Sequence, residues 1–175
     1  APFDKEIIFF DTSNSKNPYE QIEDNSVKND TEAEFITEFI LTKLLDNNIN
    51  VENIAIIAPY KSQVANIKDF LKQSYSCQNK NIDVATLDSF QGKEYDIIIF
   101  SFTRSSDHFK ARSVDGKMKY NKVGFLDDAR RLNVAFSRAK KKLILVGNEK
   151  TLTDSRSHFD LFFKYTSLFK KLVEL

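Results

Sequence analysis

Hydrophobic residues along the chain fall into short unbroken runs that alternate with segments of helical spacing. Apolar runs of about four to eight residues without alternation are typical of strands covered on both faces, so each run predicts a buried strand. The five runs are Ile7 to Asp11, Ile54 to Ala58, Val84 to Leu87, Ile97 to Phe102 and Leu143 to Val146. The pattern predicts an α/β fold with a mostly parallel sheet and helices on both faces.

Apolar residues recur at the spacing of an amphipathic helix in the segments between these runs. Thr31 and Glu34 have the spacing of a capping box, which predicts that the first helix begins at Thr31. The helical pattern covers 31–44, 64–71, 126–139 and 159–173. Two polar stretches, Ser13 to Asn29 and Arg104 to Val123, predict loops; the second is basic and is either a functional loop or a solvated insertion.

The composition indicates one globular domain with no excess of charge. The chain has 175 residues, of which 41% are hydrophobic, and this length is sufficient for a single hydrophobic core. The 26 basic residues nearly balance the 25 acidic residues, for a net charge of +1. Any contact with nucleic acid must therefore come from a local patch and not from the charge of the whole chain.

Cysteine usage and hydropathy indicate the environment of the protein. Cys77 is the only cysteine in the sequence, so the chain forms no internal disulfide, as is typical of a reducing compartment. No apolar run approaches the ~20 residues of a membrane span, and the first residues do not resemble a signal peptide. We therefore expect a cytoplasmic, or at least intracellular, protein without a membrane partner.

Polar segments follow three of the predicted strands. In an open parallel sheet, ligands bind at the carboxyl ends of the strands. The segments are 59–63, 88–94 and the stretch from Arg104 into the helix that carries Arg130 and Arg131. We expect the first two to line one edge of the sheet, although each segment taken alone is more typical of an ordinary loop than of a site.

The predicted helix from Leu126 to Ala139 carries basic residues beside its apolar stripe. Its apolar stripe consists of Leu132, Ala135, Phe136 and Ala139. Arg131 and Arg138 are two turns apart, so they are expected to share a line on the border of this stripe. An arginine held in this way suits bidentate contact with phosphate, whereas the alternative is a solvated basic face.

Four stretches of sequence resemble the second RecA-like domain of superfamily 1 helicases, in the branch of the nonsense-mediated-decay and immunoglobulin mu-binding helicases. In the second of them Ala58 stands where the family usually has Thr or Ser. The stretches are Ser26-x-x-Asn29-x-x-Glu32-Ala33, residues 56–63 (IIAPYKSQ), residues 84–96 (VATLDSFQGKEYD) and residues 124–140 (GFLDDARRLNVAFSRAK). They occur in the order of the family and extend over most of the chain.

The resemblance implies a RecA-like fold of the P-loop NTPase type, with three α/β/α layers formed by residues 1–175 as one domain. In this family ATP lies between two RecA-like domains, and the second domain completes the site. The resemblance assigns Arg138 as the arginine finger and Glu94 as a second catalytic residue. The ATP-binding set it implies is Gln91, Gly92, Glu94, Arg131 and Arg138.

The same resemblance implies that single-stranded DNA or RNA crosses the top of the domain. Hydroxyl, amide and lysine contacts to the sugar-phosphate backbone bind without reading the base sequence. The residues implied are Pro59, Tyr60, Lys61, Gln63, Thr86 and Ser89. For two of them an alternative stays open, since Tyr60 also fits an aromatic residue of a simple turn and Thr86 a buried strand residue.

Features of a complete ATPase are missing from the sequence. It contains no G-x-x-x-x-G-K-[ST] phosphate loop and no Asp-Glu pair after an apolar strand. We therefore expect the chain to be part of a larger helicase and inactive alone. The first RecA-like domain of the parent chain would be its partner and would hold Mg²⁺. His108 and His158 lack ligand-spaced partners, so no metal site is expected in this chain.

Two alternatives from other classes remain open. One is a nucleic-acid-binding or regulatory module that keeps the fold and does not hydrolyse ATP. The other is an unrelated α/β enzyme that uses the turn from Gln91 to Glu94 on a small molecule. The second alternative leaves Arg131, Arg138 and the segment 59–63 without a shared task.

Overall fold

The computed structural model describes residues 3–23, 26–90, 92–106, 112–114, 117–119, 126 and 129–152. Nine strands lie in these residues. They are β1 (Ile7–Asp11), β2 (Gln21–Glu23), β3 (Ser26–Lys28), β4 (Ile54–Ala58), β5 (Asp83–Thr86), β6 (Tyr95–Ser101), β7 (Arg112–Val114), β8 (Lys117–Lys119) and β9 (Ala139–Gly147).

Five of the strands form one sheet in the order β1-β9-β6-β4-β5, and each neighbouring pair is parallel. All five strands were predicted from their apolar runs, and the parallel α/β arrangement is confirmed. It fits the RecA-like fold that the resemblance implies. The last strand, β9, is longer than the predicted run Leu143 to Val146, because its first residues are polar and exposed.

Helical segments connect the strands. The first is one continuous helix whose central part is wound as a π-helix. The segments are α1 (Asp30–Glu34), the π-helical Phe35–Leu41, α2 (Thr42–Asp46), the 3₁₀ turn Val51–Asn53, α3 (Lys61–Gln73), the 3₁₀ turn Leu87–Phe90, α4 (Ala129–Phe136) and α5 (Glu149–Leu152).

The first helix begins one residue earlier than predicted. Asn29 is its N-cap, and the Asn29 side chain accepts a hydrogen bond from the backbone N–H of Glu32 at 3.0 Å. The capping box assigned to Thr31 and Glu34 is therefore wrong. An Asn side chain caps as well as Ser or Thr, so the sequence offered two competing starts within three residues.

Helices cover both faces of the sheet, which makes three layers. All five residues of β4 are buried, and alternate residues point to opposite faces. On one face Ile54 and Ile56 belong to a cluster with residues of the first helix and α3. On the other face Ile57 belongs to a cluster with Leu132 of α4 and Leu152 of α5. Burial of each such Ile or Leu side chain stabilises the fold by about 1.5–3 kcal/mol.

The helix α4 is shorter than predicted, and this changes the position of two candidate residues. It ends at Phe136, so Arg138 lies in the turn after the helix and Ala139 is the first residue of β9. Arg131 and Arg138 therefore do not share one helical line. Leu132 and Ala135 are buried as expected.

Both predicted loops contain a short antiparallel hairpin. In the first, β2 pairs with β3; in the second, β7 pairs with β8. Strands of three residues with one apolar residue each, as in QIE, SVK, RSV and KMK, escape detection by hydropathy because they contain no apolar run. The predicted closing helix at 159–173 lies outside the described residues.

Gly147, the last residue of β9, sits where a side chain does not fit. A Cβ atom at this position would lie 2.8 Å from Cδ2 of Phe102 and 3.0 Å from Cδ1 of Leu152. We expect Gly147→Ala to lower the free energy of unfolding by about 1–3 kcal/mol, the usual cost of overpacking, as measured by urea denaturation. Gln73→Ala at an exposed position of α3 serves as the control and should change it by less than about 0.5 kcal/mol. Equal effects of the two substitutions would contradict the packing described here.

Candidate functional site

One group of candidate residues lies at the carboxyl end of the sheet. Residues 59–63 follow β4 directly, and their last three residues form the first turn of α3. Thr86 ends β5, and Ser89 follows in the 3₁₀ turn. Arg104, just beyond the end of β6, joins this group although it was not among the predicted site residues. Since β4, β5 and β6 are neighbouring parallel strands, these segments face one end of the sheet.

A second group lies at the opposite, amino end of the sheet. The turn at 92–94 leads into β6, whose first residue Tyr95 pairs with Ala139, the first residue of β9. Arg138 comes immediately before this pair. The expectation that 59–63 and 88–94 line one edge is therefore wrong for the second half of that turn, which crosses from the carboxyl end of β5 to the amino end of β6.

Tyr60 at the carboxyl end contacts a buried ion pair. Nε of Arg104 donates a hydrogen bond to Oε2 of Glu20 at 2.8 Å, and Nη1 donates to the hydroxyl of Tyr60 at 3.4 Å. The Arg104 guanidinium lies 5.9 Å from the centroid of the Tyr60 ring. Burial opposes the charge of Arg104, yet the carboxylate of Glu20 holds the pKa of Arg104 above its ordinary value. The guanidinium therefore stays charged and contacts both the hydroxyl and the ring of Tyr60.

Gln63 was predicted to contact nucleic acid, but the structure gives its side chain other partners. It is 0% exposed. Its Oε1 accepts a hydrogen bond from the backbone N–H of Asn29 at 2.8 Å, and its Nε2 donates to the hydroxyl of Ser101 at 3.0 Å. Pro59 is buried as well. Both residues therefore support the surface from within and offer little area to a ligand.

Glu32 is a fully buried acidic residue beneath this surface. Its Oε2 accepts hydrogen bonds from the hydroxyl of Ser101 at 2.6 Å and from the backbone N–H of Thr103 at 2.8 Å. Its Oε1 has no hydrogen-bond partner in the part of the chain that the structure describes. Burial raises the pKa of Glu32 to about 8, although both hydrogen bonds favour the charged form. At neutral pH this carboxyl group is mostly protonated.

The remaining predicted contacts at the carboxyl end are accessible. Lys61 and Ser89 are exposed, and the hydroxyls of Thr86 and Ser89 lie 3.2 Å apart. Arg131 of α4 reaches the same turn, where its Nη2 lies 3.4 Å from Oδ1 of Asp88. Arg131 therefore contacts the start of the crossing segment and is not brought together with Arg138 by a shared helix.

At the amino end, the backbone of Gly92 has φ of +83°, a conformation that glycine adopts without steric cost. Gly92 is exposed, and a Cβ atom there would meet nothing within 4 Å. The space beside the backbone is open, so a ligand can approach it closely. Gln91, predicted to orient this turn, lies outside the described residues.

An ion pair with a tyrosine fixes the end of this turn. Oδ2 of Asp83 accepts hydrogen bonds from Nζ of Lys93 at 3.0 Å and from the hydroxyl of Tyr95 at 2.6 Å. Burial opposes the charge of Asp83, but the two donors hold its pKa below the ordinary value. Burial and the nearby carboxylate raise the pKa of Tyr95 to about 12. The start of β5 thereby anchors the residues on both sides of Glu94.

Arg138 and Glu94 lie at the same strand ends. The carbonyl of Arg138 accepts the backbone N–H of Tyr95 at 3.1 Å, and Nζ of Lys140 lies 3.6 Å from Oε2 of Glu94. Nε of Arg138 is buried without a hydrogen-bond partner among the described residues. The structure therefore brings Gly92, Glu94 and Arg138 to one place, with an arginine nitrogen that the described protein groups leave unsatisfied.

Several residues around the site carry no assignment from the sequence. Glu32 belongs to the stretch Ser26 to Ala33 that resembles the family, but the sequence did not predict that its side chain is buried. Arg104 directly follows a strand, a position that could have suggested it. Glu20 and Asp83 gave no signal, because their partners are distant in sequence. Among the described residues, no group of three or more His, Cys, Asp or Glu side chains could hold a metal ion, and we assign this part of the chain no Mg²⁺ ligand.

No helix in the described part of the chain has the length and hydropathy needed to cross a membrane.

Comparison with known proteins gives one family for most of the chain. A family model described as an AAA domain matches residues 1–150. The chain is 40% identical over 130 residues to the ATP-dependent helicase upf1 of Schizosaccharomyces pombe; this match covers 73% of the chain and 13% of the relative.

Two further relatives have names that refer to DNA. The DNA replication ATP-dependent helicase/nuclease JHS1 of Arabidopsis thaliana is 33% identical over 147 residues, which cover 84% of the chain and 10% of the relative. The DNA polymerase alpha-associated DNA helicase A of Saccharomyces cerevisiae is 32% identical over 151 residues, covering 83% and 20%. The chain thus spans at most a fifth of the length of these three curated relatives.

The burial of Glu32 predicts how stability depends on pH. Its pKa is about 8 in the folded state against 4.5 as the ordinary value, so folding holds the proton more tightly than the unfolded chain does. The stability contributed by the neutral carboxyl is complete below about pH 4.5 and is lost as pH rises to about 8. Glu32→Gln removes this titration. The free energy of unfolding of the unaltered protein, relative to Glu32→Gln, should fall by at least about 1.4 kcal/mol between pH 5 and pH 8.5.

Urea denaturation of both proteins at the two pH values measures this difference, and subtraction cancels groups that titrate in both. A difference that stays constant with pH would contradict the protonated state of Glu32.

Proposed function

The chain belongs to the AAA domain family, as a domain of superfamily 1 helicases, and from this membership we propose that it is the second RecA-like motor domain of an ATP-dependent helicase. The observation that carries the proposal is the pairing of Tyr95 with Ala139, which sets Arg138 beside the turn of Gly92 and Glu94. Nucleotide binds at this amino end of the sheet, and single-stranded nucleic acid binds at the carboxyl end.

Arg138 acts as the arginine finger of the ATP site. Its guanidinium stabilises the negative charge that spreads over the γ-phosphate oxygens as the bond to the leaving group breaks. The buried Nε, which has no acceptor among the described residues, supports this role, because a bound phosphate would supply one. Gly92 allows the backbone to approach the nucleotide. Glu94 is the second polar group that contacts the nucleotide; it is exposed, and its Oε2 lies 3.6 Å from Nζ of Lys140.

The nucleotide site also needs groups that this chain does not contain. We propose that the first RecA-like domain of the parent chain supplies the phosphate loop and the ligands of Mg²⁺, and that ATP binds between the two domains. Gln91 and Arg131 complete the proposed ATP-binding set. Arg131 contacts Asp88 at the start of the segment 87–95. This contact supports a role of Arg131 in fixing the segment that contains Gln91 and Gly92.

At the carboxyl end, four residues contact a single strand of nucleic acid. They are Tyr60, Lys61, Thr86 and Ser89. Tyr60 offers its ring to a base and its hydroxyl to the backbone, while Lys61 and the two hydroxyls bind phosphate or sugar oxygens. Pro59 and Gln63 act indirectly, since both are buried beneath the contact residues. These contacts do not read the base sequence, and both DNA and RNA satisfy them.

The residues 87–95 connect the two ends of the sheet. This segment starts beside the nucleic-acid contacts Thr86 and Ser89 and ends beside Arg138. Closure of the two RecA-like domains on ATP displaces the segment at its amino-end side, and hydrolysis releases it. We propose that this connection couples the ATP cycle to movement along the strand.

A buried free thiol at Cys77 supports an intracellular, reducing compartment for the protein.

The arginine-finger role predicts a specific kinetic defect. In the intact protein that contains this chain, Arg138→Ala should leave ATP binding largely unchanged and lower kcat for ATP hydrolysis about 10³-fold or more. Arg138→Lys should also be impaired, because an ammonium cannot reproduce the planar contacts of a guanidinium.

Steady-state ATPase assays and binding of a fluorescent ATP analogue measure the two effects. Lys72→Ala, on the exposed side of α3, is the control and should keep normal turnover. Normal turnover of Arg138→Ala would overturn the arginine-finger assignment, whereas an unaltered protein that binds nucleic acid without ATP turnover would favour the non-hydrolysing module.

The nucleic-acid surface predicts a difference between two tyrosines. Tyr60→Ala should weaken binding of a single-stranded oligonucleotide by about 10-fold, the typical loss for one aromatic stacking contact. Tyr75→Ala is the matched control, because Tyr75 is 91% exposed and lies beyond the other end of α3. Fluorescence anisotropy with DNA and RNA oligonucleotides at fixed salt measures both. Equal affinities of the two variants would remove Tyr60 from the binding surface.

A further inference from the structure

Thr103, two residues after β6, has a strained backbone conformation. Its φ is +68°, a value that costs a β-branched residue free energy because its Cβ crowds the following carbonyl. The backbone N–H of Arg104 donates to the carbonyl of Phe102 at 2.7 Å, so Thr103 forms the centre of a tight three-residue turn. Other contacts must therefore hold this peptide in place.

Two buried side chains hold the Thr103 peptide from both sides. Oε2 of Glu32 accepts its N–H at 2.8 Å, and Nδ2 of Asn29 donates to its carbonyl at 3.3 Å. Both side chains come from the start of the first helix and are 0% exposed. The backbone N–H of Asn29 is in turn bound by Gln63. The strained turn is thus fastened to α1 and, through Gln63, to α3.

A buried carboxyl group is a costly way to accept two hydrogen bonds. Removing a carboxyl from water costs free energy even when it is hydrogen-bonded, and no described residue forms a hydrogen bond with Oε1 of Glu32. A residue that served packing alone would avoid this cost. Glu32 is the acceptor for the N–H of Thr103, so its contribution is directed at the conformation of that turn.

The turn at Thr103 determines where Arg104 points. One acceptor fixes the next two residues. Oε2 of Glu20 accepts hydrogen bonds from Nε of Arg104 and from the backbone N–H of Ser105, each at 2.8 Å. From this position the Arg104 guanidinium contacts the hydroxyl and the ring of Tyr60. An extended backbone at Thr103 would turn Arg104 away from the tyrosine.

We propose that Glu32 is a positioning residue for nucleic-acid binding. Its buried carboxyl holds Thr103 in the turn of positive φ, and this turn directs the Arg104 guanidinium to the hydroxyl and ring of Tyr60. The contact with Arg104 fixes the orientation of the Tyr60 ring. The inference rests on the proposed contact of Tyr60 with nucleic acid. It assigns no ligand contact to Glu32 itself, which lies fully inside the protein.

The first test compares three substitutions in the intact protein by anisotropy with a single-stranded oligonucleotide. Glu32→Ala removes the acceptor and should weaken binding about 10-fold, close to the effect of losing Tyr60 itself. Glu32→Gln keeps an oxygen at the same reach and should stay within about 2-fold of the unaltered protein. Glu34→Ala is the matched control: it removes an exposed carboxylate from the same helix and should leave affinity within about 2-fold.

The second test asks whether Glu32 acts through Tyr60. In a protein that carries Tyr60→Ala, adding Glu32→Ala should change affinity by less than about 2-fold, because the ring whose position depends on Glu32 is already absent. A purely structural role would instead give independent losses that multiply. Thermal unfolding of each variant sets a temperature at which all of them are folded.

Two additional variants keep the test decisive if Glu32→Ala folds poorly. Glu32→Asp shortens the side chain by one methylene, withdraws the acceptor from Thr103, and should lower affinity while retaining the acidic group. Thr103→Gly adopts positive φ without a steric penalty, so it should restore much of the affinity lost in Glu32→Asp.

The outcomes separate the inference from the proposed function. If Tyr60→Ala alone leaves affinity unchanged, the proposed contact of Tyr60 fails and the inference falls with it. If Tyr60→Ala weakens binding but Glu32→Ala and Glu32→Asp do not, or if the losses multiply, the positioning role of Glu32 is overturned and the proposed function stands. Weak binding by Glu32→Ala that disappears in the Tyr60→Ala background supports the inference.

Discussion

The pairing of β6 with β9 is the constraint on which the proposed site depends. Tyr95 donates its backbone N–H to the carbonyl of Arg138 at 3.1 Å, and the register of the two strands shifts between Tyr95 and Ile97. This contact fixes the start of β9 and so holds Arg138 beside the turn that carries Gly92 and Glu94. A slip of the pairing by one residue would turn every side chain of β9 to the opposite face and separate these groups.

The sheet is buried at its centre, and the turns at the two ends of β6 have positive φ values. The strands β4 and β6 are buried where they pair, whereas positive φ values occur at Gly92 before β6 and at Thr103 after it. The conformation of Thr103 is strained, and such strain persists only where the surroundings determine the conformation. Here Asp83 anchors the residues around one turn, and Glu32 holds the other. We infer that β6 has a fixed turn at each end, one beside the nucleotide and the other beside the nucleic acid. The segment 87–95 connects these two ends of the sheet.

Sequence patterns were sufficient for the elements that hydropathy specifies and failed where polar contacts decide. The run Ile54 to Ala58 predicted a strand buried on both faces, because each of its residues is apolar. The end of α4 before Arg138 could not be predicted, since Ser and Arg continue a helix as readily as they leave it. The role of Asn29 as N-cap was hidden by Thr31, which is also an N-cap residue and has Glu34 at the spacing of a capping box. Glu32 lies at a polar position with no apolar pattern, and only the fold shows that Ser101 and Thr103 surround it.

The most direct test of this account is a structure of the intact protein with a nonhydrolysable ATP analogue and a single-stranded oligonucleotide bound together. The central claim is that one parallel sheet serves two ligands at its opposite ends. The account predicts the γ-phosphate within hydrogen-bond distance of Arg138 at the amino end, and the oligonucleotide across Tyr60 and Ser89 at the carboxyl end. Phosphate bound away from Arg138, or both ligands at one end of the sheet, would contradict it.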